Sequence, residues 1–284
     1  MIIEKDWISK NGRIFRNPDT IIPYYSLDLC LGKHEKKENM NSFLKIPVIV
    51  LLMIVVGLPS GVNAQQESTV EEPLSRKYQS IISIAALTAK GDLIKLKPEL
   101  NAGLDAGLTI NQIKEVLIHL YAYCGFPRSI RGLQTFMEVL NERKAKGIND
   151  ETGADASPIS QEPNKYERGK KVLGELTKAP QNGALTGYSA FAPVIDTFLK
   201  EHLFADIFER DVLTYTEREL VTISVISAIG GAEPMLRSHL NICISLGLTS
   251  LQLKQFISVI KSTAAEKEAN DAQTVLDEVL KNAR

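Results

Sequence analysis

Apolar residues recur at helical spacing along most of the chain beyond Leu74, and the strict alternation of a half-buried strand is absent. The clearest stretch is residues 215–249. Thr214 or Thr216 supplies an N-cap, Glu217 and Glu219 fall in a first turn where the helix dipole favours carboxylates, and Gly230-Gly231 ends the helix. A second helix restarts at Glu233-Pro234, carries Leu236, Leu240 and Ile244 on one face, and stops at Gly247. Earlier, Ile113, Val116, Leu117 and Leu120 keep helical spacing, as do Ile130, Leu133, Phe136, Met137 and Leu140. A long helix is predicted over residues 193–210, with Ile195, Phe198, Leu199, His202, Leu203 and Ile207 on one side. These patterns predict an all-α fold.

The helical pattern is duplicated. Leu100-Asn101 matches Leu240-Asn241, Gly107-Leu108-Thr109 matches Gly247-Leu248-Thr249, and Gln112 and Lys114 match Gln252 and Lys254, all 140 positions apart. A one-residue slip is needed only upstream of about Leu96. Residues 65–146 are expected to form a first unit, residues 147–165 a Gly-, Ser-, Asp- and Pro-rich linker, and residues 166–284 a second unit.

The beginning of the chain reads differently. Residues 1–39 show no sustained periodicity and end in a polar run, whereas Met40 opens a basic start, a 13-residue apolar run over 46–58, and small residues at Val62 and Ala64. That order matches a secretory signal peptide over residues 40–64, cleaved after Ala64. Residues 1–39 are then an upstream tail outside the translated protein, and the product is periplasmic or secreted, with no membrane contact after cleavage. The rival reading is a membrane anchor over 46–58, which is short against the roughly 20 residues a span requires.

With 44% hydrophobic and 24% charged residues, the chain can bury one large core or two small ones. A net charge of −1 gives no field to gather nucleic acid, and no aromatic-and-basic stripe is present, so nucleic acid is not an expected partner. Cys30, Cys124 and Cys243 form no Cys-x-x-Cys, and the four histidines are far apart, so no metal site is expected from spacing.

Arg218-Glu-Leu-Val-Thr-Ile223, then Gly230-Gly-Ala-Glu-Pro-Met-Leu-Arg-Ser-His-Leu240, then Gly247-Leu-Thr249 resemble the carboxymuconolactone decarboxylase family, which includes the alkylhydroperoxidase-D proteins. Tyr121-Ala-Tyr-Cys-Gly-Phe-Pro127 is similar to that family's Tyr-x-Gly-x-Pro segment. The resemblance runs from about Leu74 to the C-terminus. It implies tandem helical units of the alkylhydroperoxidase-D type, a small-molecule substrate and no cofactor. It also implies a homo-oligomer, with a trimer of two-unit chains as the form suggested by the family's rings. The alkylhydroperoxidase-D branch uses a Cys-x-x-Cys pair, a histidine four residues later and a glutamate on the preceding helix. Setting His239 on that histidine puts Ala232 and Met235 where the cysteines would be, with Glu219 close to the glutamate's place. Both sulfur nucleophiles are gone, which excludes a dithiol cycle there.

The decarboxylase branch needs an anchor for a carboxylate and a group that returns a proton to carbon. Arg237 and Arg128 are candidates for the anchor, Glu233 joins them as a substrate-binding residue, and His239 and Glu219 are the acid or base. The plainer account makes Glu219 a helix-start carboxylate with Arg237 as its surface partner. Cys124 reads either as a single peroxidatic thiol or as a small buried residue, and a Cys124–Cys243 disulfide is open. Glu115, His119 and Tyr123 form a stripe at i, i+4 and i+8, either a relay or a solvated edge. His202 is expected in a core or interface. Three functions therefore compete: proton transfer on a small carboxylated or oxidised molecule, a one-cysteine peroxidase at Cys124, and a non-catalytic binding or scaffold role.

Overall fold

The computed structural model describes residues 72–159 and 161–282, and no strand occurs among them. The expected upstream tail and signal peptide, residues 1–64, lie outside the described residues. Side-chain caps set most helix starts. Ser75 accepts a hydrogen bond from the Tyr78 N–H and opens α1 (Arg76–Lys90), which Gly91 closes at φ 72°. Asp92 caps α2 (Leu93–Asp105), and Thr109 caps α3 (Ile110–His119) in a capping box with Gln112. α4 (Tyr121–Ala145) follows at once and is broken at Gly125, whose φ of 81° and ψ of 162° are open to a residue without Cβ. Then come α5 (Lys165–Thr177), the short α6 (Gly187–Phe191), and α7 (Pro193–Phe198), which continues as a π-helical run over Leu199–Ile207. The last four helices are α8 (Tyr215–Ile229), α9 (Glu233–Ser245), α10 (Ser250–Thr263) and α11 (Glu266–Asn282).

The duplication is visible in the helix starts. α8 begins 139 residues after α1, while α9 follows α2 and α10 follows α3 by 140. The slip lies in one turn, because Gly91-Asp92 joins α1 to α2 whereas Gly230-Gly231-Ala232 joins α8 to α9. Thr249 and Gln252 repeat the capping box of Thr109 and Gln112 at the start of α10.

α1 and α8 are the central pair. Residues 80–89 of α1 and 217–228 of α8 are buried on all sides, as a helix with no continuous polar face must be. The two pack against each other; α2 lies on α1 and α9 on α8. α10 crosses to pack on α1, whereas α3 and α4 reach α8, so each half closes the other's central helix. One cluster of buried apolar side chains runs through both halves.

A second, smaller cluster joins α5 to the π-helical run through Val172, Leu176, Leu203, Phe204, Ile207 and Phe208. The π spacing alters the face predicted for residues 193–210. Leu203 and Ile207 are buried, but Ile195 and Phe198 are exposed. His202 is also exposed rather than in the core, held by Asp206 at 3.1 Å. On α4, Phe136 is core while Ile130 and Met137 face outward, because the helix restarts beyond the Gly125 break. The irregular segment after α4 is pinned to α3: Ile110 and Asn111 donate their N–H groups to the Glu151 and Thr152 carbonyls at 2.9 Å. Among the described residues no helix is long and apolar enough to cross a membrane.

The α5 contact rests on one glycine. A Cβ on Gly169 would fall 1.8 Å from the Lys200 carbonyl oxygen, a backbone atom with no rotamer to yield. Gly169→Ala is expected to cost about 1–3 kcal/mol by overpacking. Chemical denaturation would check this; an unchanged midpoint would show that α5 shifts freely.

Candidate active site

α8 is buried throughout, so any carboxylate on it beyond the first turn is carried into the protein. Thr214 is the N-cap, sharing a capping box with Glu217, and Glu219 lies two residues further on and is fully buried. His239, from the middle of α9, meets it: Nδ1 lies 2.7 Å from Glu219 Oε2. The imidazole retains 15% side-chain exposure against none for the carboxylate. With Nδ1–H donated to Glu219, the Nε2 lone pair is the group offered outward. The other carboxylate oxygen, Oε1, is buried without a hydrogen-bond partner among the described residues. Glu219 is thus no helix-start carboxylate, and its partner is His239 instead of Arg237.

A chain of buried polar groups stands beside this pair. Arg218, fully buried, bonds Glu115 Oε1 through Nη2 at 2.8 Å and His119 Nδ1 through Nη1 at 3.1 Å. Arg210 grips the same carboxylate from the side, at 2.9 Å. A guanidinium can only donate, so His119 Nδ1 must accept and its Nε2–H donates to Thr222 Oγ1, 3.0 Å away. Thr222 Oγ1 lies 3.0 Å from both the Tyr123 hydroxyl and the Arg218 carbonyl, and its single proton can go to only one of them. The Tyr123 ring stands nearly perpendicular to that of His239, centroids 6.3 Å apart. Burial, then the charge of Glu219, raises the Tyr123 phenol well above its usual pKa, so it is a neutral donor. Glu115 and His119 are buried and Tyr123 is half-buried, so the stripe is no solvated edge.

Other predicted site residues are placed elsewhere or in different company. Arg237 is exposed and paired with Glu278 on α11. Arg128 is exposed beside the Gly125 break, its guanidinium over Gly91, without an ion-pair partner among the described residues. Glu233 stands at the exposed start of α9, in a cleft shared with Glu268 and Asp271. Such a cleft repels an anion. Cys124 is partly buried and donates its thiol to the Leu120 carbonyl at 3.2 Å; burial, only partly offset by Arg128, pushes it up to about 11. Cys124 and Cys243 are both free, so the disulfide is not formed. The larger cavities, of about 600, 470 and 450 Å³, have neither His239 nor Glu219 in their lining.

The sequence profile of the carboxymuconolactone decarboxylase family matches residues 59–136 and 193–278. The chain belongs to the carboxymuconolactone decarboxylase family. It is similar to the 4-carboxymuconolactone decarboxylase of Acinetobacter baylyi, 30% identical over 119 residues that make up 42% of this chain and 88% of that protein. It is also similar to an uncharacterized protein of Methanocaldococcus jannaschii, 27% identical over 81 residues, 28% of this chain and 76% of the other. The two stretches matched to the carboxymuconolactone decarboxylase family contain α1 to α3 with the start of α4, and α7 to α11 with most of the last helix. The Glu219–His239 pair lies within the second and Tyr123 within the first, so both copies of the family unit contribute to one constellation.

Sequence reasoning missed Arg218, Arg210 and Thr222. A signal for Arg218 existed: it opens a helix whose following ten residues, 220–229, offer no polar face, so an arginine there needs a buried partner. Arg210 carries no comparable mark, being one charge in an acidic loop.

Removing Glu115 strands the Arg218 charge. Glu115→Leu is expected to destabilise the fold by about 3–5 kcal/mol, and adding Arg218→Met should recover part of that loss. Urea unfolding of the single and double variants checks both, and additive losses would show that the two residues act separately. Burial, then the Arg218 charge, holds His119 well below its usual 6.5, so it stays neutral when folded. The unfolded chain takes up a proton there below about 6.5, so this contribution is complete above that pH and is lost as pH falls below it. The slope should approach about 1.4 kcal/mol per pH unit relative to a His119→Gln variant. Parallel stability curves for the two proteins would disprove this.

Proposed function

We propose that this chain is an enzyme that moves a proton on a small carboxylated or oxidised organic molecule, of the chemistry named for its Acinetobacter baylyi relative. The observation that carries the reading is the 2.7 Å contact between buried Glu219 and part-exposed His239. A buried carboxylate accepting the Nδ1–H fixes the ring and its tautomer and leaves Nε2 facing outward, which suits it to general acid and base work. In a decarboxylation the bond from carbon to carboxylate breaks, carbon dioxide leaves, and the electron pair passes into an adjoining lactone. His239, protonated beforehand at Nε2 from solvent, gives that proton to the carbon and returns to the neutral ring with its lone pair outward. Tyr123, held by the chain from Arg218, is a second donor toward the developing negative charge. Arg128 is the better anchor for a substrate carboxylate, since Arg237 is already engaged by Glu278. No cofactor enters this scheme.

The same reading places the enzyme outside the cytoplasm after cleavage at Ala64. Mass spectrometry of the native protein is expected to find Gln65 at the N-terminus, and Met1 there would overturn export. Assembly into a trimer of two-unit chains belongs to the proposal too, supported by the exposed apolar row Phe191, Val194 and Phe198. A monomeric mass by light scattering would remove that part.

The peroxidase alternative needs a thiolate, and a Cys124 thiol pushed to about 11 supplies little of it near neutrality. With a carboxylated lactone as substrate, His239→Gln should lower kcat by about 10²–10⁴ with little change in KM. Cys124→Ser should leave turnover unaltered. Full turnover by His239→Gln would take the imidazole out of the mechanism, and peroxide turnover abolished by Cys124→Ser would favour the thiol.

A further inference from the structure

The duplication that builds the Glu219–His239 site implies a twin position in the first half, and that position is a cavity. The offsets of 139 and 140 residues set Ser80 on Glu219, Ser83 on Thr222 and Glu99 on His239. In the crossing helix, Val259 of α10 stands where α3 has His119. Ser80, Ser83, Glu99 and Val259 all line one cavity of about 450 Å³ between α1, α2 and α10. Its walls are three packed helices, so it is shaped before anything enters it.

Its polar groups are unspent. Arg218 and Glu115, which saturate each other in the second half, are replaced by Gln79 and Gln255. Ser80 and Ser83 are only 7% and 6% exposed, yet neither hydroxyl has a hydrogen-bond partner among the described residues. Both hydroxyls face the cavity and are available to the polar atoms of an occupant. Arg76 and Glu99 line the same space and form no ion pair among the described residues. Asp105, also in the lining, is already held by Arg143 at 2.9 Å.

The occupant is not another apolar helix. In the second half, α5 and the π-helical run pack over this place on Ile242, Leu246 and Tyr215. Their counterparts in the cavity are Ala102, Ala106 and Arg76. Two alanines and an arginine give no apolar seat, while exposed Arg76 and half-buried Glu99 offer one charge of each sign to an occupant.

We propose that this cavity is a second ligand site, separate from His239, that binds a small zwitterion with its carboxylate on Arg76 and its ammonium on Glu99, as a free α-amino acid carries them. Ser80 and Ser83 would take the remaining polar atoms. The proposal does not depend on the decarboxylase reading.

Calorimetric titration of the full chain with individual neutral L-amino acids tests it. At least one is expected to bind with one-to-one stoichiometry, while its decarboxylated amine and its deaminated hydroxy acid do not. Glu99→Gln and Arg76→Gln, at positions that carry no core packing, should each weaken binding about tenfold or more. Ser83→Ile, which fills the cavity, should abolish it. Absence of binding by every amino acid would overturn the proposal. So would affinity unchanged in Glu99→Gln, equal affinity for the amine or the hydroxy acid, or binding lost only in a His239→Gln variant.

Discussion

A guanidinium shut away from water has to be answered by a carboxylate, and here the carboxylate comes from the other half of the duplication. Arg218 belongs to α8 and Glu115 to α3, so their 2.8 Å contact ties the two halves at one register. Such a pair does little for net stability, because desolvating two charges cancels most of their attraction. Its effect is on specificity. With Arg218 able only to donate, the tautomer of His119 is fixed, and with it the N–H that His119 gives to Thr222. The candidate site is thereby set by a contact that never meets substrate.

The two halves show how far one backbone can diverge in chemistry. α1 and α8 are equally buried and equally central, and their neighbouring helices cross in the same way. In the second half the crossing meets Arg218, Glu219 and His239, and the polar atoms consume one another. In the first half Gln79, Ser80 and Glu99 occupy those positions, and the space stays open. Side-chain exchange at a handful of places, on an unchanged fold, makes one site of paired charges and one of unpaired ones.

Much of this was legible in the sequence, and the limits have physical causes. The all-α class, the duplication and the Gly230-Gly231 break follow from local spacing and local backbone freedom, which sequence records directly. The closeness of Glu219 and His239 was legible through the family resemblance, since nineteen intervening residues and a helix reversal separate them. A single helical period does not give which side is buried. The π-helical run leaves Ile195, Phe198 and His202 exposed, and beyond the Gly125 break Ile130 and Met137 face outward. The stripe of Glu115, His119 and Tyr123 could be read two ways from sequence, and it is the partner helix with Arg218 that buries it. Long-range pairing of charges leaves no periodic mark.

One carboxylate also bears on thiol chemistry at this site. The field of a buried anion penalises any thiolate within reach. Cys243, one turn beyond His239 on α9, is pushed well above its usual pKa by burial first and then by Glu219. Cys124 lies across the Gly125 break with only Arg128 to oppose its desolvation. A sulfur nucleophile would need a base to take its proton and a positive neighbour to hold the charge. Glu219 already engages His239 as the one and excludes the other, since positive potential beside it is absorbed by its own charge. The carboxylate that holds the His239 ring therefore also opposes a thiolate at Cys243, whereas at Cys124 it is desolvation that does so.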